Sequence, residues 1–566
     1  MSIPHSKAQH RALPAATTRP GGLQRAEILV LVAATLVGIG SFLVYLRENR
    51  LMEYGDAIAH AQIARRIIDS PTPGISQLGG VWPPLPHLLA LPFIWADWLF
   101  FSGAGPGLLS VACQVLATWL VFRLARLIGL GTIPSLTAAA VILANPNLRY
   151  MQSTGMTELP LIAATVAAVY LLVHWSQTGS LRSFVLLVLS VLAATAIRYE
   201  GWVLWGAVLA ALALIMLVRR QDRAKTVDYV TYYVVFSSLF IIGWMAWNKI
   251  ILGTGWLGFL NGTYAEANIW VGANEVAIGH PIVAFKTYWY AMVLLFGQAT
   301  LVLAVAGLLL FLLRDRLDTR TIGVLVLLFP VPFFTFALFA GQRPMYVPQI
   351  SGSYYNVRFA LQMLPLIALM LGVTVQAAGD LLQHARLHLR SFAPRPGITP
   401  RVRTATAGGA VAALALLTVL AAPGTTVVLV EPVLAATIDN RTQDEAIGAC
   451  LAPLVGSRPR MLMENHGNEL ALFYSGVDMG NVVYEGSYKL WDDALAHPAD
   501  YVDWIYMRNA PGREDAVWMA LHDNPAALAP FRVVMQTDGA VLYGRTSLVG
   551  SGEPSTCTLP ANAPPT

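Results

Sequence analysis

The chain has 566 residues, 56% of them hydrophobic and only 12% charged, with a net charge of +5 and a mean hydropathy of +0.57. A water-soluble globule of that composition could not cover its apolar surface, so lipid is the natural solvent. The positive balance does not point to nucleic acid, because the basic residues sit in short loops between apolar runs, where they report topology.

About 20 apolar residues cross a bilayer, and the sequence predicts eleven spans, near 28–46, 107–128, 131–147, 157–175, 181–197, 202–218, 229–252, 288–313, 320–340, 357–378 and 407–430. With the N-terminal segment 1–27 in the cytoplasm, the loops on its side hold about half of the Lys and Arg residues. The positive-inside rule then places the C-terminus outside. The apolar run Leu85 to Phe101 is nearly long enough to span, but counting it would put most later basic loops outside, so it is read as a helix at the outer interface. Basic residues precede the first span as in a signal peptide, yet no small-residue cleavage site follows, which favours a retained anchor.

Within the 28–430 membrane domain, the outer loop 47–106 is unusually long for a connection, and long loops are often functional. Asp56 to Asp69 has helix-forming composition and ends before Pro71 and Gly74, with Asp56 and His60 on one face. From 431 the character changes: acidic residues outnumber basic ones and no further span follows. Strand-like runs at Arg460 to Met463, Val482 to Tyr484, Val502 to Met507 and Phe531 to Met535 alternate with helical stretches, and a hairpin is expected through Asp538-Gly539. This predicts a small extracytoplasmic α/β domain over 431–550, followed by a disordered tail at 551–566, rich in Pro, Ser and Thr. Cys450 and Cys557 both fall outside the cytosol, where a disulfide persists; a bridge and two free thiols remain open alternatives. Asn261-Gly262-Thr263 and Asn440-Arg441-Thr442 fit the glycosylation pattern, which chance also produces.

No P-loop, no G-x-G-x-x-G after a strand, no nucleophile elbow and no zinc-like Cys/His spacing occurs. Charge near hydrocarbon is costly, so the charges at the span mouths need a reason: Asp56, Glu158, Arg198, Glu200 and Arg358. They cluster on one side, whereas a transporter path would string charge through the bilayer.

The order and sidedness of four pieces resemble the GT-C superfamily of integral-membrane glycosyltransferases, nearest the protein O-mannosyltransferase and aminoarabinose transferase branch. The pieces are Tyr54-Gly55-Asp56 in the long first outer loop, Met156-Thr157-Glu158-Leu159-Pro160 in the second, Arg198-Tyr199-Glu200-Gly201-Trp202 at the next outer mouth, and Asn356-Val357-Arg358-Phe359 before Leu364-Pro365. The resemblance covers roughly 28–378. It implies a multi-pass enzyme of a bacterial-type cytoplasmic membrane that moves a sugar from a polyprenyl-phosphate donor to a lipid, glycan or protein acceptor on the outer face, with inversion. A glycan ligase using a polyprenyl-pyrophosphate donor and a lipid-linked-sugar flippase are the alternatives.

Carried onto these residues, the resemblance makes Asp56 the base that takes the acceptor proton, a task suited to a positioned carboxylate; an Asp there also serves as a helix N-cap. Glu158 matches the second acidic position, which holds acceptor or, in oligosaccharyltransferases, a divalent metal. It would equally complement the dipole of the next span. With no D-x-D or E-x-D in either loop, a divalent metal stays a lesser alternative and no cofactor is assigned. Arg358 and then Arg198 are the candidates for the donor phosphate, because a planar fork of donors suits phosphate oxygens; snorkelling to headgroups is the plainer role of both. Glu200 would pair with or orient Arg198, or serve only as a helix N-terminal acid; Tyr54 and Tyr355 would support the site; His60 would contact the acceptor or donate to a carboxylate, although a lone His on an amphipathic helix is more often structural. Arg65 and Arg66 are read as headgroup contacts. The mouth aromatics Trp82, Tyr199, Trp202, Trp256, Tyr264, Trp270, Tyr354 and Tyr355 could stack on sugar rings or seal a lipid groove, but for most of them an interfacial belt is the plainer reading.

Overall fold

The computed structural model describes residues 24–389, Gly409, Ala412, 427–435 and 441–557, without 254–275 and a few positions elsewhere. The segment before residue 24, most of the span expected at 407–430, the Asn261 tripeptide, Asn440, and Trp256, Tyr264 and Trp270 lie outside the described residues.

The described chain is a polytopic helical membrane fold. Seven of its helices are long and apolar enough to cross a bilayer: Arg25–Arg47, Ala104–Leu127, Glu158–Thr178, Glu200–Val218, Arg223–Ile251, Thr319–Phe339 and Val357–Leu382. Two other expected spans are shorter helices, Thr132–Ala144 and Leu181–Ile197. The first stops early because Pro146 forces Asn145 out of the helical region. The span expected at 288–313 is not one helix. Pro281–Phe296 and Gln298–Arg314 meet at 107°, and Gly297 at the corner adopts a φ of 78° that other residues resist.

Burial ranks these helices by position. Val357–Leu382 is 89% buried along its apolar window, whereas Arg25–Arg47 is 22% buried and lines the edge of the bundle. The Glu158–Thr178 helix packs against Leu181–Ile197 on one side and Ala104–Leu127 on another. Side chains that begin the Glu158–Thr178 and Val357–Leu382 helices are therefore held in the interior of the bundle end.

The first long loop folds as a Gly55–Arg66 helix followed by four short pieces, Ile75–Gln77, Leu85–Ala90, Leu91–Phe93 and Asp97–Phe101. The single interfacial helix expected over 85–101 is broken after Ala90 by Leu91-Pro92, whose proline cannot continue the ladder. Arg65 does not reach headgroups. It is buried, paired with Asp69 and Asp97, and donates to the carbonyls of Ile94 and Trp95, so it ties the Gly55–Arg66 helix to those pieces. Arg66 lies over the Tyr484 ring instead of a lipid surface.

The C-terminal region forms a six-stranded sheet in the order β2-β1-β3-β5-β4-β6, with β1 Met461–Leu462, β2 Val482–Val483, β3 Trp504–Arg508, β4 Phe531–Gln536, β5 Ala540–Arg545 and β6 Ser555–Thr556. β1 pairs in parallel with β2 and β3, while β3–β5 and β4–β5 are antiparallel, the latter closing the expected hairpin. The stretch expected to be structureless contributes β6, parallel to β4, and Cys557 beside it is disulfide-bonded to Cys450. This domain docks on the first long loop: the Glu469–Ser475 helix packs on Gly55–Arg66, Gln62 donates to the Glu469 carbonyl at 2.8 Å, and Arg441 donates to the Met52 carbonyl at 3.1 Å.

Candidate active site

Five mouth residues singled out by their charge meet in space, although 302 positions separate Asp56 from Arg358. Each is delivered by a helix end. Asp56 sits in the first turn of Gly55–Arg66, but Tyr54 is the N-cap and the carboxylate bonds to the Arg358 guanidinium, so the capping role is not taken up. Glu158 opens its helix behind Thr157, with Pro160 tolerated in the first turn. The chain between Ile197 and Glu200 turns through the extended Arg198 and restarts tightly. A Cβ on Gly201 would stand 2.1 Å from the Ala194 carbonyl oxygen, so only glycine allows that joint. Asn356 takes a φ of 55° and is held there by Nδ2 donating to the Pro344 carbonyl at 2.9 Å. This turns Arg358 inward at the start of its helix.

Arg198 donates through Nε to Glu200 Oε1 at 3.0 Å and through Nη1 to Thr157 Oγ1 at 2.8 Å and Glu158 Oε1 at 3.3 Å. Arg358 donates through Nη2 to Asp56 and through Nη1 to Glu431 Oε1 at 3.0 Å. Its Nε stands 3.4 Å from Glu158 Oε1, close enough for charge but without hydrogen-bond alignment. One carboxylate oxygen of Glu158 therefore faces both guanidinium groups. Both also lie on the Phe359 ring, at 5.2 and 5.1 Å from its centroid, and Arg358 is 4.6 Å from the centroid of Tyr54.

Glu431 was not found by sequence reasoning. Its Oε1 and Oε2 accept the backbone N–H groups of Asn356 and Val357 at 2.7 and 3.1 Å, besides the Arg358 bond. The signal was present: a lone carboxylate in the apolar Val427–Ala435 helix is as costly as the charges that were chosen. In the sequence Glu431 stands where the apolar run gives way to the acidic C-terminal region, and so marks a domain boundary as well.

Exposure separates the roles. Glu158 and Glu200 have fully buried side chains and Glu431 and Arg358 nearly so, whereas the Asp56 side chain is 40% exposed. Within this cluster Asp56 is the acid a ligand can reach. Four carboxylates surround two arginines, and removing any one partner of such a buried set leaves an uncompensated charge.

Three further expected site residues have partners of their own. The Tyr54 hydroxyl donates to the Val428 carbonyl at 2.8 Å, so its ring, not its hydroxyl, serves the cluster. Tyr355 is bridged to Tyr346 through its backbone, with the two rings 5.6 Å apart. His60 is buried one turn beyond Asp56, its Nδ1 2.9 Å from Nε2 of His87, with Trp82 against its ring at 4.5 Å. Burial and the charges of Arg198 and Arg358 lower the His60 pKa to about 3, and burial, His60 and Arg66 hold His87 well below its usual value. Both rings are neutral at physiological pH. Among the described residues no three of His, Cys, Asp and Glu are grouped to hold a metal ion. Each acid of the cluster already faces an arginine, so the donor set does not fit a divalent metal.

No sequence-family model and no curated protein matches the chain. By structure it is similar to the crystal structure of ArnT from Cupriavidus metallidurans bound to undecaprenyl phosphate, with a TM-score of 0.52 at 15% identity, over 93% of this chain and 99% of that one. AglB from Archaeoglobus fulgidus, in complex with an inhibitory peptide and a dolichol-phosphate, gives 0.46 at 13% identity over 92% and 74%. The Pmt1-Pmt2 complex of S. cerevisiae bound to the sugar donor gives 0.30 at 15% identity over 41% and 34%. The ArnT match shows a shared fold along nearly the whole chain.

Proposed function

We propose that this chain is a membrane glycosyltransferase that moves a sugar from a polyprenyl-phosphate donor to an acceptor, with Asp56 as the base. The observation that carries the reading is one accessible carboxylate, Asp56, bonded to a buried arginine at the enclosed end of a GT-C bundle. A polyprenyl phosphate is the ligand in the ArnT structure, and that ligand class is taken over for the donor.

Arg358 bonds the Asp56 carboxylate. A donor phosphate competes for the same guanidinium, and because Asp56 is the exposed partner it is the one displaced. The freed carboxylate takes the acceptor hydroxyl proton, the acceptor oxygen bonds to the anomeric carbon from the opposite face, and the bond to the phosphate oxygen breaks with its electron pair. Arg358 and Arg198 meet the charge growing on the leaving phosphate. Glu158, Glu200 and Glu431 keep both forks in place. The same reading orients the site and the C-terminal domain to the extracytoplasmic side of a bacterial-type cytoplasmic membrane.

Purified protein in lipid, given a panel of radiolabelled polyprenyl-phosphate sugars and a membrane extract, tests this. Label transfer, unchanged by chelator, is expected. Labelled lipid crossing sealed vesicles without transfer would replace the reading with a flippase, and transfer only from pyrophosphate-linked glycans would replace it with a ligase.

A further inference from the structure

His60 and His87 form a buried pair of neutral rings sharing one hydrogen bond, between Nδ1 of His60 and Nε2 of His87. Only one of the two nitrogens carries the hydrogen, so the pair has two arrangements. If His60 donates, His87 is protonated on Nδ1, and that nitrogen is buried without a partner. An orphaned buried N–H is the rarer and costlier fault, while an unused lone pair is better tolerated. In the other arrangement His87 donates from Nε2, its Nδ1 keeps only a lone pair, and His60 carries its hydrogen on Nε2.

We infer that His87 locks His60 as the Nε2–H tautomer, which makes His60 a fixed hydrogen-bond donor to an oxygen of the lipid-linked sugar. Several observations place that donor at the reaction centre. His60 follows Asp56 by one helical turn and shares its face. The positive charges of Arg198 and Arg358 act on its ring. Its Nδ1 edge is used by His87, and Trp82 covers the ring at 4.5 Å, so Nε2 is the nitrogen left for a ligand. His60 binds substrate in this account, and His87 is a positioning residue that works through it. The motif pieces that carry the family resemblance contain neither residue.

This inference rests on the glycosyltransferase reading for its substrate, but the tautomer does not, and the two are tested separately. Nitrogen-15 NMR of histidine-labelled full-length protein in nanodiscs, with His60 identified by the signal missing from His60→Gln, should show a bare Nδ1 and a protonated Nε2. A His60 signal protonated on Nδ1 overturns the lock even if transfer is robust. For the ligand, His60→Asn loses the outer donor and should raise KM about tenfold, the worth of one good hydrogen bond, with kcat little changed. His60→Gln, whose amide reaches the Nε2 position, should lose less. His87→Leu should raise KM, and His87→Gln, which keeps a donor toward His60, should recover most of it. Equal KM in the two His60 variants, or no recovery by His87→Gln, overturns the inference. Binding of bare polyprenyl phosphate beside the sugar-bearing donor locates the oxygen: weakening of both assigns the phosphate, and weakening of the donor alone assigns a sugar hydroxyl.

Discussion

Replacing Glu431 with glutamine should destabilise the protein although the residue is far in sequence from every recognised motif piece. In the native chain its carboxylate accepts two backbone N–H groups and the Nη1 of Arg358. A glutamine has one acceptor oxygen, so one amide is left unpaired, at about 1–3 kcal/mol. Arg358 also loses a charge-assisted bond worth about 1.5–3 kcal/mol. The sum is roughly 2.5–6 kcal/mol. Unfolding entropy of about 2.1 cal/mol/K per residue over 566 residues gives about 1.2 kcal/mol per kelvin, so the apparent Tm should fall by about 2–5 °C. The assay is thermal unfolding in nanodiscs, with Glu445→Gln as control. Glu445 is a partly exposed partner of Arg441, a pair of a kind that contributes little. If Glu431→Gln melts with that control, the carboxylate does not organise the Arg358 turn and the account of the site is wrong.

Gly201→Ala should lower both Tm and transfer, because its Cβ meets the Ala194 carbonyl, while Gly206→Ala, with open space around it, should change neither. Acid should destabilise the fold through the histidine pair: below pH 6.5 the unfolded chain binds protons that His60 refuses down to about 3. Stability is then full above pH 6.5 and falls by about 1.4 kcal/mol per unit for each such histidine as pH drops. The double variant His60→Gln/His87→Gln should flatten that slope in unfolding curves at pH 7, 5.5 and 4.5, and an unchanged slope would refute the neutral pair. Cys557→Ser should release β6 and cost the C-terminal domain about 2–4 kcal/mol. Limited proteolysis of the full chain should then cut faster after residue 550, and an unchanged rate would refute that role of the bridge.

What was legible in the sequence follows from what is local. Apolar runs and basic loops are local, so the membrane class and most helix positions could be read directly. So could the alternating strands of the C-terminal domain, because turn residues such as Asp538-Gly539 announce themselves. The corner at Gly297 escaped because hydropathy is blind to direction, and only the φ of 78° reveals it. Charges at span mouths were legible because burying them demands a reason, yet their pairing was not. Arg358 could be singled out by its charge, but its pairing with Asp56 and Glu431 could not, since those contacts join distant helices. His87 was hidden for a related cause: a histidine in a short apolar run carries no sign of the ring it will meet. Arg65 read as a lipid contact because its partners, the carbonyls of Ile94 and Trp95, have no sequence signature.

The central claim is that Asp56 is the base and that Arg358 exchanges it for the donor phosphate. Donor binding and single-turnover transfer should be measured together on wild type and Asp56→Asn in the same lipid. The account predicts that transfer collapses by about a hundredfold or more, as loss of a general base does, while the donor binds at least as tightly, because a competitor for Arg358 has gone. Transfer at the wild-type rate by Asp56→Asn would contradict it.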